Sequence, residues 1–255
     1  MKTIPILLAL TLASSAFAHD TWIAPDQFGQ CGAVTLHMTS APEFGKLETP
    51  IEPSRVQRAI IVIPHRRINM TPVVAKRSLD FNVDVPEEGM SIAAVELAPK
   101  TIDLTPAQVT EYLDEIGASD DIRAQRNAHP GRWRETYTKH AKTFIRCSGR
   151  GDAYLSLDMG FEMIPQGTDP TALKAGDTMR VVLVAPKQPP VVAPIVVERE
   201  GAGRVATVMP GKDRIAAIKF DQPGRYMLSA TWLRPGDGNA ADWVSDFTTL
   251  TFDVK

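Results

Sequence analysis

Residues 132–146 read RWRETYTKHAKTFIR, Arg132 to Arg146, and the period assigned to them decides the middle of the fold. At about 100° per residue Trp133, Tyr137, His140 and Phe144 fall within about 60° of one another, while Glu135, Lys139 and Lys142 lie elsewhere. The spacing predicts an amphipathic helix with His140 at the centre of its apolar face. On the N-terminal side, Thr105-Pro106-Ala107-Gln108 supplies a cap residue, a proline at the first helical position and Gln at the capping-box site. Val109, Tyr112, Leu113 and Ile116 follow at helical spacing, and Gly117 closes the element. Residues 119–127 read as a further short helix before His129-Pro130-Gly131, so a helical insertion is expected over about 105–146.

The flanks alternate with a period of two. Val34, Leu36 and Met38 oppose Thr35, His37 and Thr39, and residues 58–64, 79–85, 91–97 and 153–164 read as further strands. After the turn-rich Pro165 to Pro170, six segments at 179–184, 191–197, 204–208, 214–220, 224–233 and 247–254 carry strand patterns separated by turn signals. The expectation is a mainly β protein with two β-sandwich domains. The first, residues 19–165, carries the helical insertion, and the second, residues 170–255, is immunoglobulin-like.

Composition narrows the function. Of 255 residues 44% are apolar and 23% charged, and 28 Lys and Arg against 30 Asp and Glu leave a net charge of −2. That balance excludes a disordered chain. It also argues against nucleic acid as a partner, since no basic excess is present to displace phosphate counterions. Met1-Lys2-Thr3, the apolar run Ile4 to Ala13 and Ala16-Phe17-Ala18 read as a secretory signal, residues 1–18. No later apolar run approaches the roughly 20 residues of a membrane span, so an exported, periplasmic protein is expected. Export permits Cys31 and Cys147 to pair, against two separate buried thiols.

Cleavage after Ala18 makes His19 the first residue, which then carries both a free α-amine and an imidazole. Their pKa values, about 8 and about 6.5, leave both largely available as nitrogen donors near neutral pH. Such donors, in the arrangement known as a histidine brace, suit Cu(II), Ni(II) or Zn(II) over Mg(II) or Ca(II). Further ligands would come from His37, on the polar face of the first strand, and His140. An imidazole in an apolar stripe loses solvation and needs a partner, which a backbone carbonyl would also satisfy. His65, beside Arg66 and Arg67, and His129, before a proline, read as structural or exposed. Trp232 and Trp243 flank the loop from Pro235 to Asp242 and read as a sugar-stacking platform or as core anchors. No nucleophile elbow or Ser/His/Asp set is present, so no catalysis is expected.

Four segments in register resemble a bacterial family of exported proteins labelled a domain of unknown function and often described as the periplasmic component of nickel/cobalt uptake. His19-Asp20-Thr21-Trp22-Ile23-Ala24-Pro25 resembles the family's HDFWLEP start, and residues 134–142, RETYTKHAK, its RExYxxxAK segment. Asp169-Pro170 through Gly176-Asp177 resembles its DPxxLxxGD, and Asp242-Trp243 through Leu250-Thr251-Phe252 its DWxSxxxTLTF. The resemblance implies a two-part β architecture and a protein that captures a transition-metal ion and supports its uptake by an inner-membrane importer. The chain departs from the family in lacking a histidine on the strand of Ala230-Thr231-Trp232, and residues 187–194 replace a Gly-Lys-Pro turn. Two other readings stand beside metal capture: a binding or adhesion module for a glycan or partner protein, and a copper oxygenase built on the brace.

Overall fold

A computed structural model describes residues 19–128, 130–149, 156–189 and 191–255. The chain opens with strands β1 (Asp20–Pro25), β2 (Gly32–Ala41), β3 (Thr49–Pro50), β4 (Val56–Ile63), β5 (Arg66–Asn69) and β6 (Pro72–Val74). Next come β7 (Leu79–Val85), β8 (Met90–Leu97), β9 (Lys100–Leu104), helices α1 (Pro106–Glu115) and α2 (Asp120–Ala128), then β10 (Trp133–Arg146). A short 3-10 turn at Pro170–Ala172 apart, the remaining elements are strands: β11 (Glu162–Gln166), β12 (Thr178–Val184), β13 (Ile195–Arg199), β14 (Gly203–Val208), β15 (Ile215–Lys219), β16 (Gly224–Pro235) and β17 (Trp243–Val254).

Among the described residues these strands form three sheets. A nine-stranded sheet runs β14-β13-β16-β17-β10-β8-β4-β5, with β9 also paired to β10. A five-stranded sheet, β1-β2-β7-β6 with β3 on β2, covers part of one face, and a three-stranded sheet, β11-β12-β15, covers part of the other. The fold is therefore mainly β, sandwich-like, with a helical insertion. The N-terminal and C-terminal strand sets share the central sheet, joined where β10 and β17 pair in parallel from Glu135↔Trp243 to Thr143↔Thr251.

The segment expected to be the clearest helix, residues 132–146, is instead the strand β10 at the middle of that sheet. Three of its four stripe residues split between faces. Trp133 packs with α1 and α2, whereas His140 and Phe144 face the side of the three-stranded sheet. A β-branched and aromatic run (Trp133, Thr136, Tyr137, Thr138, Thr143, Phe144, Ile145) fits a pleated surface. Ladders to β8, β9 and β17 satisfy its backbone, which outweighs the helical period. The insertion thus contains α1 and α2 only. α1 carries the expected capping box between Thr105 and Gln108, and Gly117 follows it at φ 61°.

The strand expected over 153–164 is also corrected. Residues 153–155 lie outside the described residues, and pairing begins only at Glu162. Before it the Leu157 amide donates to the Glu162 carboxylate at 3.0 Å, and Asp158 takes φ 54°, so this backbone serves a side chain instead of a ladder. Cys31 and Cys147 are bonded, with S–S 2.03 Å. No described helix is long and apolar enough to cross a membrane.

A carboxylate pocket at the start of the first strand

β1 lies at the edge of the five-stranded sheet, over β17. Its outward carbonyls would be orphaned there, and hydroxyls from β17 satisfy them: Thr249 Oγ1 donates to Thr21 O at 2.8 Å and Thr251 Oγ1 to Ile23 O at 2.6 Å. The carbonyl of His19 accepts from Lys139 Nζ at 2.7 Å and from Ser40 Oγ at 3.3 Å. Lys139 also donates to Thr21 Oγ1 at 3.0 Å, so β10 holds the backbone at the start of β1. Burial pulls the Lys139 ammonium down to about 8, against the opposing pull of Asp20.

Beside His19 a small pocket of about 30 Å³ opens where β1, the end of α1 and strands β13, β14 and β16 converge. Asp20, Glu115, Glu198, Arg204, Ser229 and Thr231 supply its polar lining. Ser229 donates to Asp20, whose carboxyl is raised above its ordinary value by burial. Burial and the adjacent Asp20 charge push Glu198 up to about 7. The same two causes push Glu115 up to about 7, although its outer side still meets water, which tempers the effect. Arg204 Nη2 donates to Glu115 O at 2.7 Å and fixes the end of α1 over the pocket. Three crowded carboxylates share two cations, Arg204 and Lys139, and the arrangement favours a further positive charge.

The structure does not bring His19, His37 and His140 together. His37 stands opposite Ala24 in the β1–β2 ladder, five positions from His19, or about 17 Å at the rise of an extended strand. Its Nδ1 meets Asp80 at 2.8 Å and its Nε2 meets Asp26 at 3.5 Å. His140 follows Lys139 and therefore faces the opposite side of the nine-stranded sheet. It is 3% exposed, with Nδ1 3.0 Å from Glu96 and Nε2 3.3 Å from Asp246. Among the described residues no three His, Cys, Asp or Glu side chains are arranged to hold a metal ion. His65 is exposed in a turn at φ 63°, and His129 and residues 1–18 lie outside the described residues.

Trp243 is a core anchor, 6% exposed and stacked on Trp133 at 4.6 Å, and Trp232 packs on Phe161. The pocket carboxylates are missed by sequence reasoning because they come from three distant segments without local spacing. The adjacency of Asp20 to His19 is the one signal present.

Among solved structures, the three N-terminal domains of the bacteriophage RB49 Highly Immunogenic Outer Capsid protein (Hoc) are similar at 11% identity. That alignment covers 92% of this chain and 59% of that chain with a TM-score of 0.19. No curated protein matches the sequence. A family model, by contrast, matches residues 16–234, ending within β16. The chain belongs to the family described as Domain of unknown function (DUF4198).

Proposed function

We propose that the exported, processed protein is a periplasmic binding protein that captures a nickel, cobalt or copper ion at His19 and delivers it to an inner-membrane importer. The observation that carries this reading is the placement of His19: its backbone is held by Lys139 and Ser40 beside the pocket of Asp20, Glu115 and Glu198. Cleavage after Ala18 creates the α-amine, which with the imidazole gives two nitrogen donors of the class these ions prefer. Asp20 and Glu198, in the adjoining pocket, would supply charge-neutralising oxygen donors, and His37 and His140 are not in the proposed set. The role is binding and delivery, without a catalytic step.

The test is titration of Cu(II), Ni(II) and Co(II) into the processed protein and into a form with one extra residue before His19. The extra residue turns the His19 α-amine into a peptide nitrogen, which deletes a direct ligand, and is expected to weaken binding by about 100-fold, the upper end of what loss of a supporting group alone costs. Equal affinity in the two forms overturns the reading. A second reading, a module for a glycan or partner protein, rests on a cleft of about 340 Å³ beneath the 235–242 loop, with Gln125, Arg132, Asp242 and Trp243 among its walls. Glycan retention without metal would favour it.

A further inference from the structure

On the face of the nine-stranded sheet opposite His19, five charged side chains form a row, one from each of five neighbouring strands. In sheet order they are Arg234 (β16), Asp246 (β17), His140 (β10), Glu96 (β8) and Arg58 (β4), alternating in sign. The contacts run Arg234 Nη2 to Asp246 Oδ2 at 2.7 Å, Asp246 Oδ1 to His140 Nε2 at 3.3 Å and His140 Nδ1 to Glu96 Oε2 at 3.0 Å. Arg58 Nε closes the row on Glu96 Oε1 at 2.5 Å. Both nitrogens of the central ring face carboxylate oxygens. Only the doubly protonated imidazolium donates to both, because a neutral ring turns one lone pair against a carboxylate.

The row also holds the segment 157–161 that enters β11. The Gly160 amide donates to Glu96 Oε2 at 2.7 Å, the same oxygen that faces His140, and Arg58 Nη2 donates to Leu157 O at 2.9 Å. Phe161 packs on Trp232, whose ring lies 4.0 Å beneath the Arg234 guanidinium. Gly160 sits so close that a Cβ there would lie 2.8 Å from His140 Cε1. Two further charged pairs lie on this face along β10, Lys142 with Glu162 two residues on and Arg146 with Asp169 six residues on.

We infer that this row is a proton-operated clasp: the protonated His140 ring holds Glu96 where it accepts the Gly160 amide, and loss of the ring proton loosens the Gly160 turn from Glu96 while Leu157, Met159 and Phe161 stay anchored in the core. His140 lies outside the ligand set proposed above, so the clasp stands or falls independently of metal capture. Burial opposes the His140 charge, but hydrogen bonds and attraction from Asp246 and Glu96 outweigh it and raise the ring above its ordinary value. Burial likewise opposes the Glu96 and Asp246 charges, and their cationic and amide partners together lower both carboxyls. The sign follows: a raised histidine gives a clasp closed at acid and neutral pH that opens as pH rises through the His140 pKa, above about 6.5.

The test is an NMR titration of the full processed protein, reading the His140 ring nitrogens and the Gly160 amide between about pH 5.5 and 9.5. The expected result is one shared midpoint, with Gly160 amide exchange, corrected for its intrinsic pH dependence, rising at least about tenfold across it. In His140→Gln the Gly160 amide should show no step. The inference is overturned if the ring loses its proton while Gly160 keeps its shift and protection, or if the ring stays protonated throughout. Should the variant fail to fold, the unsubstituted protein alone decides the matter.

Discussion

Single residues on β10 show where charge patterning misleads. Lys142 and Glu135 fall on the wet side of a helix drawn through 132–146, yet each is 1% exposed. Lys142 pairs with Glu162 at 2.8 Å, and Glu162 also accepts from the Leu157 amide and Ser156 Oγ. Burial pushes the Lys142 ammonium below the usual lysine range, with Glu162 opposing the shift. Replacing Lys142 by Met leaves a buried carboxylate without its cation, which is expected to cost about 3–5 kcal/mol in urea unfolding. Adding Glu162→Gln should recover part of that loss. An unchanged midpoint for Lys142→Met alone would show that the pair contributes nothing net. Glu135 is satisfied differently, by Tyr112 Oη at 2.9 Å, Trp133 Nε1 at 2.8 Å and Ser245 Oγ, and burial raises its carboxyl.

At the scale of elements, α1 was legible and β10 was not. α1 is specified by local chemistry: Thr105 caps the Gln108 amide, the Gln108 side chain returns to the Thr105 amide, and proline occupies the first turn. Those signals act within four residues and need no tertiary partner. Thr105→Ala is expected to cost about 1 kcal/mol, seen as a lower thermal midpoint. Since α1 also presents Glu115 to the pocket and sets Tyr112 on Glu135, a shift in the pocket's cation affinity should accompany it. For β10, Trp133, Tyr137, His140 and Phe144 satisfy a helical period, but the hydrogen bonds and buried surface that decide between helix and strand come from β8, β9 and β17. β1 was passed over for the same reason. Its carbonyls are satisfied by Thr249 and Thr251, more than 200 residues away along the chain.

The whole molecule is organised around one sheet shared by both ends of the chain, stapled by Cys31–Cys147 across 116 residues of sequence. The bond ties the residue before β2 to the residue after β10, so it links the five-stranded sheet to the central one. In the chain-entropy picture a loop of that length stabilises by about 4–5 kcal/mol. Reduction, or the pair Cys31→Ala and Cys147→Ala, should lower the denaturation midpoint by a corresponding amount in chemical unfolding. Full retention of stability without the bond would place the cohesion in the cores alone. The two cysteines were visible in the sequence, which permitted their pairing but left two separate thiols open; the structure shows the bond.

By itself the sequence determined the mainly β class and the capped helix α1, and it indicated α2 and permitted the disulfide. Each of these rests on residues near one another in the chain or on composition. The tertiary structure alone decided that β10 is a strand and that β17 joins it in parallel. It also brought Glu115 and Glu198 to Asp20, next to His19, and placed His37 and His140 elsewhere. Those outcomes depend on which distant strands supply hydrogen-bond partners and cover each face. A strand sends adjacent residues to opposite sides, which is why Lys139 reaches His19 and His140 cannot.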